Sequence, residues 1–206
     1  RAIMKHVVLA FGFFALSLST ALAGETVENE TFGFEVTLPD GWLKTTADQY
    51  YENLSKLKTD DPSFQEALTK NASAPIVMAM KHQEPFNDIN PSFKINVRPY
   101  GGITTRDGVE ILNVVLPSLQ RAFSEMQVTT PVHKVSVGGK NAAHVAVTYK
   151  LKTDAGEWPG ASELWLVPEP NYLFMVGIGY RPDEQTGSKS EIISAVKSIK
   201  FMKTGE

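Results

Sequence analysis

Cysteine is absent from this chain of 206 residues. The protein therefore has no disulfide bond, no thiolate nucleophile, no cysteine ligand for a metal and no cysteine that could carry a lipid. A chain without covalent cross-links has to be stabilised by packing, and this one is long enough to bury a sizeable hydrophobic core.

Histidine is also scarce, with four in the sequence. Among them, His82, His133 and His144 lack the spacing of a zinc-binding helix, and neither an acid-rich calcium loop nor a G-x-S-x-G nucleophile motif occurs. The sequence thus predicts no metal site, no cofactor and no catalytic residues. The three histidines are interpreted as structural or surface residues.

Lysine and arginine form no run along the chain. Acidic residues outnumber them by 23 to 20, which gives a formal net charge of −3 at pH 7. Because nucleic acids and anionic membrane surfaces attract basic patches, this balance argues against both as partners.

One long hydrophobic run occurs, at residues 7–18, and the small residues Ala21 and Ala23 follow it. This arrangement is typical of a secretory signal peptide. The run is shorter than the roughly 20 residues of a membrane-spanning helix, so a cleaved signal is favoured over a retained anchor. We therefore expect a signal peptide at 1–23 and a single domain at 24–206. The mature protein would be periplasmic or secreted, without a membrane span.

The stretch at 31–42, T-F-G-F-E-V-T-L-P-D-G-W, predicts the first strand of the domain. Its apolar residues alternate, which places them on one face of an extended strand. Pro39 and the Asp40-Gly41 pair then provide turn chemistry. Trp42 is interpreted as a core anchor beyond the turn.

The rest of the chain alternates between helical and extended patterns. Helices are predicted at about 45–58, 62–71, 107–126 and 183–198; strands at 76–83, 93–99, 132–137, 143–151, 163–167, 172–180 and 198–201; and a loop at 153–160. The acid pairs at 60–61 and 183–184 are interpreted as helix-start residues, which favour the positive end of the helix dipole. Runs of hairpin strands between helices predict the α+β class, with a central antiparallel sheet sandwiched by helices.

Three parts of the sequence together resemble the PsbP-like superfamily. They are the opening F-x-F-x-V-x-L-P-D-G-W, a V-x-V-G-G-K hairpin after a long helix, and the closing I-I-S-A-V-K-S-I-K-F. The resemblance covers nearly all of 28–202 in element order, and it is greatest to exported bacterial members of the PsbP and DcrB type. It implies an α/β/α sandwich that serves as a non-enzymatic binding or assembly-supporting module. The superfamily has no shared catalytic residues to carry over.

Four residues are candidates for ligand binding: Arg98, Tyr100, Trp158 and Glu163. Arg98 and Tyr100 end a predicted strand, and Trp158 lies in the predicted loop, where a large aromatic side chain is not needed for folding. Aromatic and arginine side chains are favoured at binding hot spots. Alternatively, Trp158 covers the end of the sheet.

These observations favour an exported, non-catalytic module that binds an unidentified protein partner or a small ligand. The alternative is a hydrolase that uses acids near Trp158, of which Glu157 and Glu163 are the candidates. A purely structural envelope protein is the third hypothesis.

Overall fold

The computed structural model describes residues 24–202, except for the side chains of Leu68 and Thr69. The predicted signal peptide at 1–23 lies outside the described residues and stays a prediction. No helix within the described part of the chain is long and apolar enough to cross a membrane.

The described residues form four helices and eleven strands. The helices are α1 (Ala47–Lys56), α2 (Pro62–Asn71), α3 (Gly108–Ala122) and α4 (Lys189–Ser198). The strands are β1 (Thr26–Asn29), β2 (Phe34–Thr37), β3 (Leu43–Lys44), β4 (Leu57–Lys58), β5 (Val77–Met80), β6 (Ser92–Pro99), β7 (Ser124–Val137), β8 (Lys140–Thr153), β9 (Gly156–Pro168), β10 (Tyr172–Tyr180) and β11 (Lys200–Phe201).

The strands form one large and one small antiparallel sheet. In the large sheet the order is β3-β5-β6-β10-β9-β8-β4, and β7 also pairs with β8. The small sheet has the order β1-β2-β11, so it joins the two ends of the described chain. The predicted α+β fold with an antiparallel sheet and helices on its faces is therefore confirmed.

The predicted loop at 153–160 is wrong, because most of it belongs to β9. This strand begins at Gly156 and pairs with β8 along its length. Pro159 suggested a loop, but it lies beyond the end of β10, where β9 is paired on one side only. Proline is tolerated where a strand is an edge, because no second ladder needs its missing N–H.

Two predicted helices are too long. The helix predicted at 107–126 ends at Ala122, and β7 begins at Ser124 with Glu125 at a φ of 56°. The last helix begins only at Lys189, where the Ser188 side chain caps it. The hydrophobic spacing of the first of these helices continues past Ala122 to Met126, whereas the early start predicted for the second rests on the acids at 183–184.

One acid pair starts a helix and the other does not. Asp61 accepts a hydrogen bond from the backbone N–H of Ser63 at 2.9 Å and is the N-cap of α2, as predicted. Asp183 instead lies in the turn before α4, where its carboxylate pairs with the Arg181 guanidinium at 2.8 Å.

The large sheet has two differently covered faces. Its α4 face packs against α4 and the small sheet, and the core there includes Phe34, Phe174 and Ile192, each 0% exposed. Its α3 face packs against the first half of α3, whose Ile111 and Leu112 are buried.

The start of α3 lies very close to the sheet. A Cβ atom at Gly108 would come within 3.1 Å of the Ala143 Cβ atom, which is tighter than most such contacts, so a larger residue would require the helix or the sheet to shift. Further along the helix, Leu116 and Leu119 are only half-buried. The two halves of α3 therefore contact the sheet differently.

Candidate ligand-binding cavity

A cavity of about 860 Å³ lies on the α3 face of the large sheet. The second half of α3 forms one wall through Leu116 and Leu119, and β8 contributes Val145 and Val147. The segment 84–90 and part of α1 border it as well. Clefts of roughly 300–1,000 Å³ with mainly apolar walls are typical of small-molecule sites.

The floor of the cavity is open because β10 carries glycine there. Gly177 pairs with Lys94 on β6 and with Leu164 on β9, so it lies in the middle of the sheet. A Cβ atom placed on Gly177 would have no other heavy atom within 4 Å. Gly179 shares this face, but the Ser92 hydroxyl lies within 3.0 Å of where its Cβ atom would be, so the open space is at Gly177.

The segment 84–90 is held in place by polar contacts. The Asn90 side-chain amide donates to the Glu84 carboxylate at 2.8 Å and to the His82 carbonyl at 2.9 Å. The guanidinium of Arg181 pairs with the Asp88 carboxylate at 2.6 Å, which fixes this segment to the turn after β10. The wall at this end of the cavity is therefore structured and polar.

Lys94 lines the cavity and has no partner. Of the lysines in 24–202, only Lys94 and Lys197 form no hydrogen bond or ion pair with the described residues, and Lys197 is exposed. Burial lowers the pKa of Lys94, because desolvation disfavours its charged form.

The predicted site residues are not brought together. On the α3 face, Tyr100 is buried, its hydroxyl donates to the Glu169 carbonyl at 2.7 Å, and the Arg106 guanidinium lies 3.5 Å above its ring. Arg98 donates to the Asn71 carbonyl at 3.3 Å. Both residues are at the end of β6, and their role in binding stays a prediction.

Trp158 lies far from this pair, although it borders the cavity. Arg98 pairs with Leu173 on β10, and Leu173 pairs with Pro168 on β9, so these three residues lie side by side across the sheet. At about 3.3 Å per residue, Trp158 is roughly 30 Å along the same strand from Pro168. The structure thus associates Trp158 with the cavity and separates it from Arg98 and Tyr100.

Glu163 also borders the cavity, but its carboxylate is directed toward α4. It accepts hydrogen bonds from His144 Nε2 at 2.8 Å and from the Tyr180 hydroxyl at 2.9 Å, and it pairs with the Lys189 ammonium. Burial by itself raises the pKa of Glu163, yet these three donors outweigh it and lower the pKa to about 2. Burial and the contact with Glu163 raise the pKa of Tyr180 to about 12.

His144 is buried, so of the structural and surface roles predicted for it the structural one applies. Its ring stacks on Trp165 with centroids 4.5 Å apart. Within the described residues, no serine or threonine hydroxyl hydrogen-bonds to His144, so the geometry is that of a packed polar network rather than a triad. His82 is a structural residue as predicted, since its Nε2 lies 2.6 Å from the Thr186 carbonyl oxygen.

No group of three or more histidine, aspartate or glutamate side chains is arranged to hold a metal ion within 24–202.

The fold is one that solved structures share. LpqN, a protein involved in cell envelope biogenesis of Mycobacterium tuberculosis, is 14% identical, with a TM-score of 0.50 over 86% of this chain and 90% of that one. Cyanobacterial PsbP from Synechocystis sp. PCC 6803 is 12% identical, with a TM-score of 0.47 over 89% of this chain and 95% of that one. The Saccharomyces cerevisiae Ran-binding protein Mog1p is 10% identical, with a TM-score of 0.46 over 86% and 94%.

No protein-family model and no curated protein sequence matches the chain. The α+β fold with a central antiparallel sheet that the sequence predicts is confirmed, and identities this low establish similarity of fold alone.

Sequence reasoning identified Lys94 only as part of a polar strand face and did not identify Gly177 at all. The alternation of Lys94 and Asn96 with buried Phe93 and Ile95 is typical of a strand with one face in solvent. The one available signal was two glycines, two residues apart, inside an otherwise apolar strand. Glycine in a strand interior often marks a place where something else approaches closely.

Proposed function

We propose that this protein is an exported, non-catalytic binding protein that holds a small, largely apolar ligand between α3 and the large sheet. The cavity of about 860 Å³, left open by Gly177, is the observation that carries the proposal. Its walls combine apolar side chains from α3 and β8 with a few polar groups, the usual composition of a small-molecule site.

A small ligand is favoured over a protein partner because the candidate site is a concave cavity. Protein partners usually bind flatter surfaces that bury about 800 Å² on each side. The exposed valines on the outer side of α3, Val114 and Val115, form only a small apolar patch.

Export is supported by the predicted signal peptide at 1–23. The role of LpqN in cell envelope biogenesis is compatible with it, although LpqN is similar in fold alone. We propose a periplasmic or secreted location on these grounds.

The hydrolase hypothesis has less support. The Glu163 carboxylate already accepts bonds from three side chains, and Glu157 is exposed and 3.8 Å from the Lys150 ammonium. A general acid or base needs a free path to the substrate. A turnover that disappears in both Glu163→Gln and Glu157→Gln would contradict the binding proposal.

Filling the floor of the cavity should weaken binding. In Gly177→Leu the new Cβ atom meets no other heavy atom within 4 Å and the side chain extends into the cavity, so we expect the fold to be retained while the volume for a ligand falls. We expect the affinity for the apolar fluorescent probe N-phenyl-1-naphthylamine to fall by at least about tenfold. The measurement is a fluorescence titration of the purified protein, with circular dichroism as a check on folding.

Val114→Leu is the matched control, because Val114 is 77% exposed on the outer side of α3. It adds a methylene group outside the cavity and should leave probe affinity unchanged. Unaltered affinity in Gly177→Leu, or no probe binding by the unaltered protein, would contradict the proposed function.

A further inference from the structure

We propose that the ligand is an anionic amphiphile with a single long hydrocarbon chain, whose acid headgroup pairs with Lys94. This inference rests on the proposed function of the cavity and specifies the chemical class of the ligand.

Among the described residues, Lys94 is the cation bordering the cavity that has no carboxylate partner. The other partly buried cations beside the cavity and α4 have carboxylate partners: Lys81 pairs with Glu191, Lys189 with Glu163, and Arg181 with Asp88. Lys94 is half-buried, and a cation that is partly withdrawn from water without a partner is destabilising. A ligand anion would provide the partner that the chain lacks.

Two acids of the segment 84–90 that border the cavity, Glu84 and Asp88, do not neutralise Lys94. The Glu84 carboxylate accepts from the Asn90 amide and from the Phe86 backbone N–H. The Asp88 carboxylate accepts from Arg181 and from the Ile89 backbone N–H. Neither forms an ion pair with Lys94, so the ammonium is left for a ligand.

A second donor lies beside Lys94. Ser92 is two residues away on the same strand and the same face, borders the cavity, and forms no side-chain hydrogen bond with the described residues. Gly177 on the neighbouring strand leaves open space beside Lys94, and the Ser92 hydroxyl lies against Gly179. An ammonium and a hydroxyl at one place suit an acid headgroup, because charged acceptors form the stronger hydrogen bonds.

The remainder of the cavity suits a hydrocarbon chain. Beyond the polar end, its walls are formed by Leu164, Val145 and Val147 of the sheet and by Leu116 and Leu119 of α3. A volume of about 860 Å³ is near the upper end of the roughly 300–1,000 Å³ range for small-molecule sites, so it has room for a long chain. A cavity with one cationic end and one apolar end is suited to an amphiphile that has one anionic headgroup and one hydrocarbon chain.

The test compares three probes of equal chain length: palmitate, hexadecyl phosphate and the uncharged hexadecanol. The affinity of each probe is measured in a fluorescence titration, from the concentration at which it displaces N-phenyl-1-naphthylamine from the protein. We expect at least one of the two acids to bind about tenfold or more tightly than hexadecanol. Tighter binding of palmitate indicates a carboxylate headgroup, and tighter binding of hexadecyl phosphate a phosphate headgroup.

Lys94→Met removes the charge and keeps most of the volume. It should weaken acid binding by about tenfold or more, leave hexadecanol binding unchanged, and raise the melting temperature of the ligand-free protein, because an unpaired charge is removed. Lys94→Arg should retain acid binding. Lys197→Met, which removes an exposed lysine without a partner, should change none of these values.

The experiment distinguishes failure of the headgroup inference from failure of the proposed function. If the acids bind no better than hexadecanol, or if Lys94→Met binds them as the unaltered protein does, the headgroup inference is wrong while the cavity remains a binding site. If none of the three probes displaces the dye although Gly177→Leu weakens dye binding, the amphiphile inference is wrong and the proposed function stands. If the unaltered protein does not bind the dye, the proposed function is wrong as well.

Discussion

Phe174→Ala should lower the free energy of unfolding by about 4 kcal/mol, the typical cost of removing a large aromatic side chain from a core. Phe174 is 0% exposed and lies on the α4 face of the central strand β10. Its ring makes edge-to-face contacts with Phe34 and Phe201, each with centroids 5.0 Å apart. Such pairs add roughly 0.5–1.5 kcal/mol beyond the buried area. Urea unfolding followed by circular dichroism measures the loss.

Phe86→Ala is the matched control, because Phe86 is half-buried and stacks only on His82, at 4.5 Å. It should cost clearly less than Phe174→Ala. If Phe174→Ala does not fold, Phe174→Leu should still fold and lose about 1–2 kcal/mol. Equal losses at positions 86 and 174 would mean that the core is not centred on the α4 face.

Acid should unfold the protein through Glu163. An unfolded glutamate has its ordinary pKa of 4.5, whereas the pKa of Glu163 is lowered to about 2 in the folded protein. The ionised carboxylate therefore contributes stability that is fully present above pH 4.5 and is lost as the pH falls toward 2. The difference corresponds to about 3 kcal/mol. Urea unfolding at pH values from 7 to 2 would reveal the decline.

Glu163→Gln isolates this contribution from that of other acids. It keeps the shape of the side chain but cannot ionise, so between pH 4.5 and 2 its stability should fall by about 3 kcal/mol less than that of the unaltered protein. Glu28→Gln, at an exposed acid of β1 without an ion pair, should follow the unaltered protein. Parallel curves for the unaltered protein and Glu163→Gln would mean that the carboxylate is not held by its three donors.

Local chemistry made much of the fold predictable. Thr46 and Gln49 form a capping box at the start of α1, where the sequence predicts a helix start. Gly138 and Gly139 form the tight turn between β7 and β8 with φ angles of 56° and 82°, as the hairpin pattern predicts. In such places two or three neighbouring residues decide the conformation.

The missed strand segments depend on distant residues. The first part of β7 contains Pro131, and the pairing with β8 shifts register on either side of it, between Thr130 and His133. A bulge of this kind accommodates proline, but only the partner strand determines where it forms. β1 lacks an apolar alternation and becomes a strand through its pairing with β2.

The candidate site was harder to predict than the fold because it is a cavity between elements that are distant in sequence, whereas a motif is a local pattern of residues. Lys94 lies in a cavity only because α3 and the segment 84–90 cover a strand face that would otherwise be solvated. Trp158 was identified from a predicted loop that is in fact a strand. Glu163 was identified as an acid near Trp158, but its carboxylate belongs to a buried polar network. Each assignment required the position of residues far away in the chain.

The small sheet has a consequence for the order of folding. The Lys200 ammonium pairs with the Glu35 carboxylate across a separation of 165 residues, and β11 pairs with β2 at the same place. Closing so large a loop is entropically costly, whereas the hairpins of β7, β8 and β9 are local and form more readily. β2 is synthesised before β11, so Phe34 lacks its partner Phe201 during that interval. Until β11 has paired, the apolar side chains of β2 have to be shielded by other contacts.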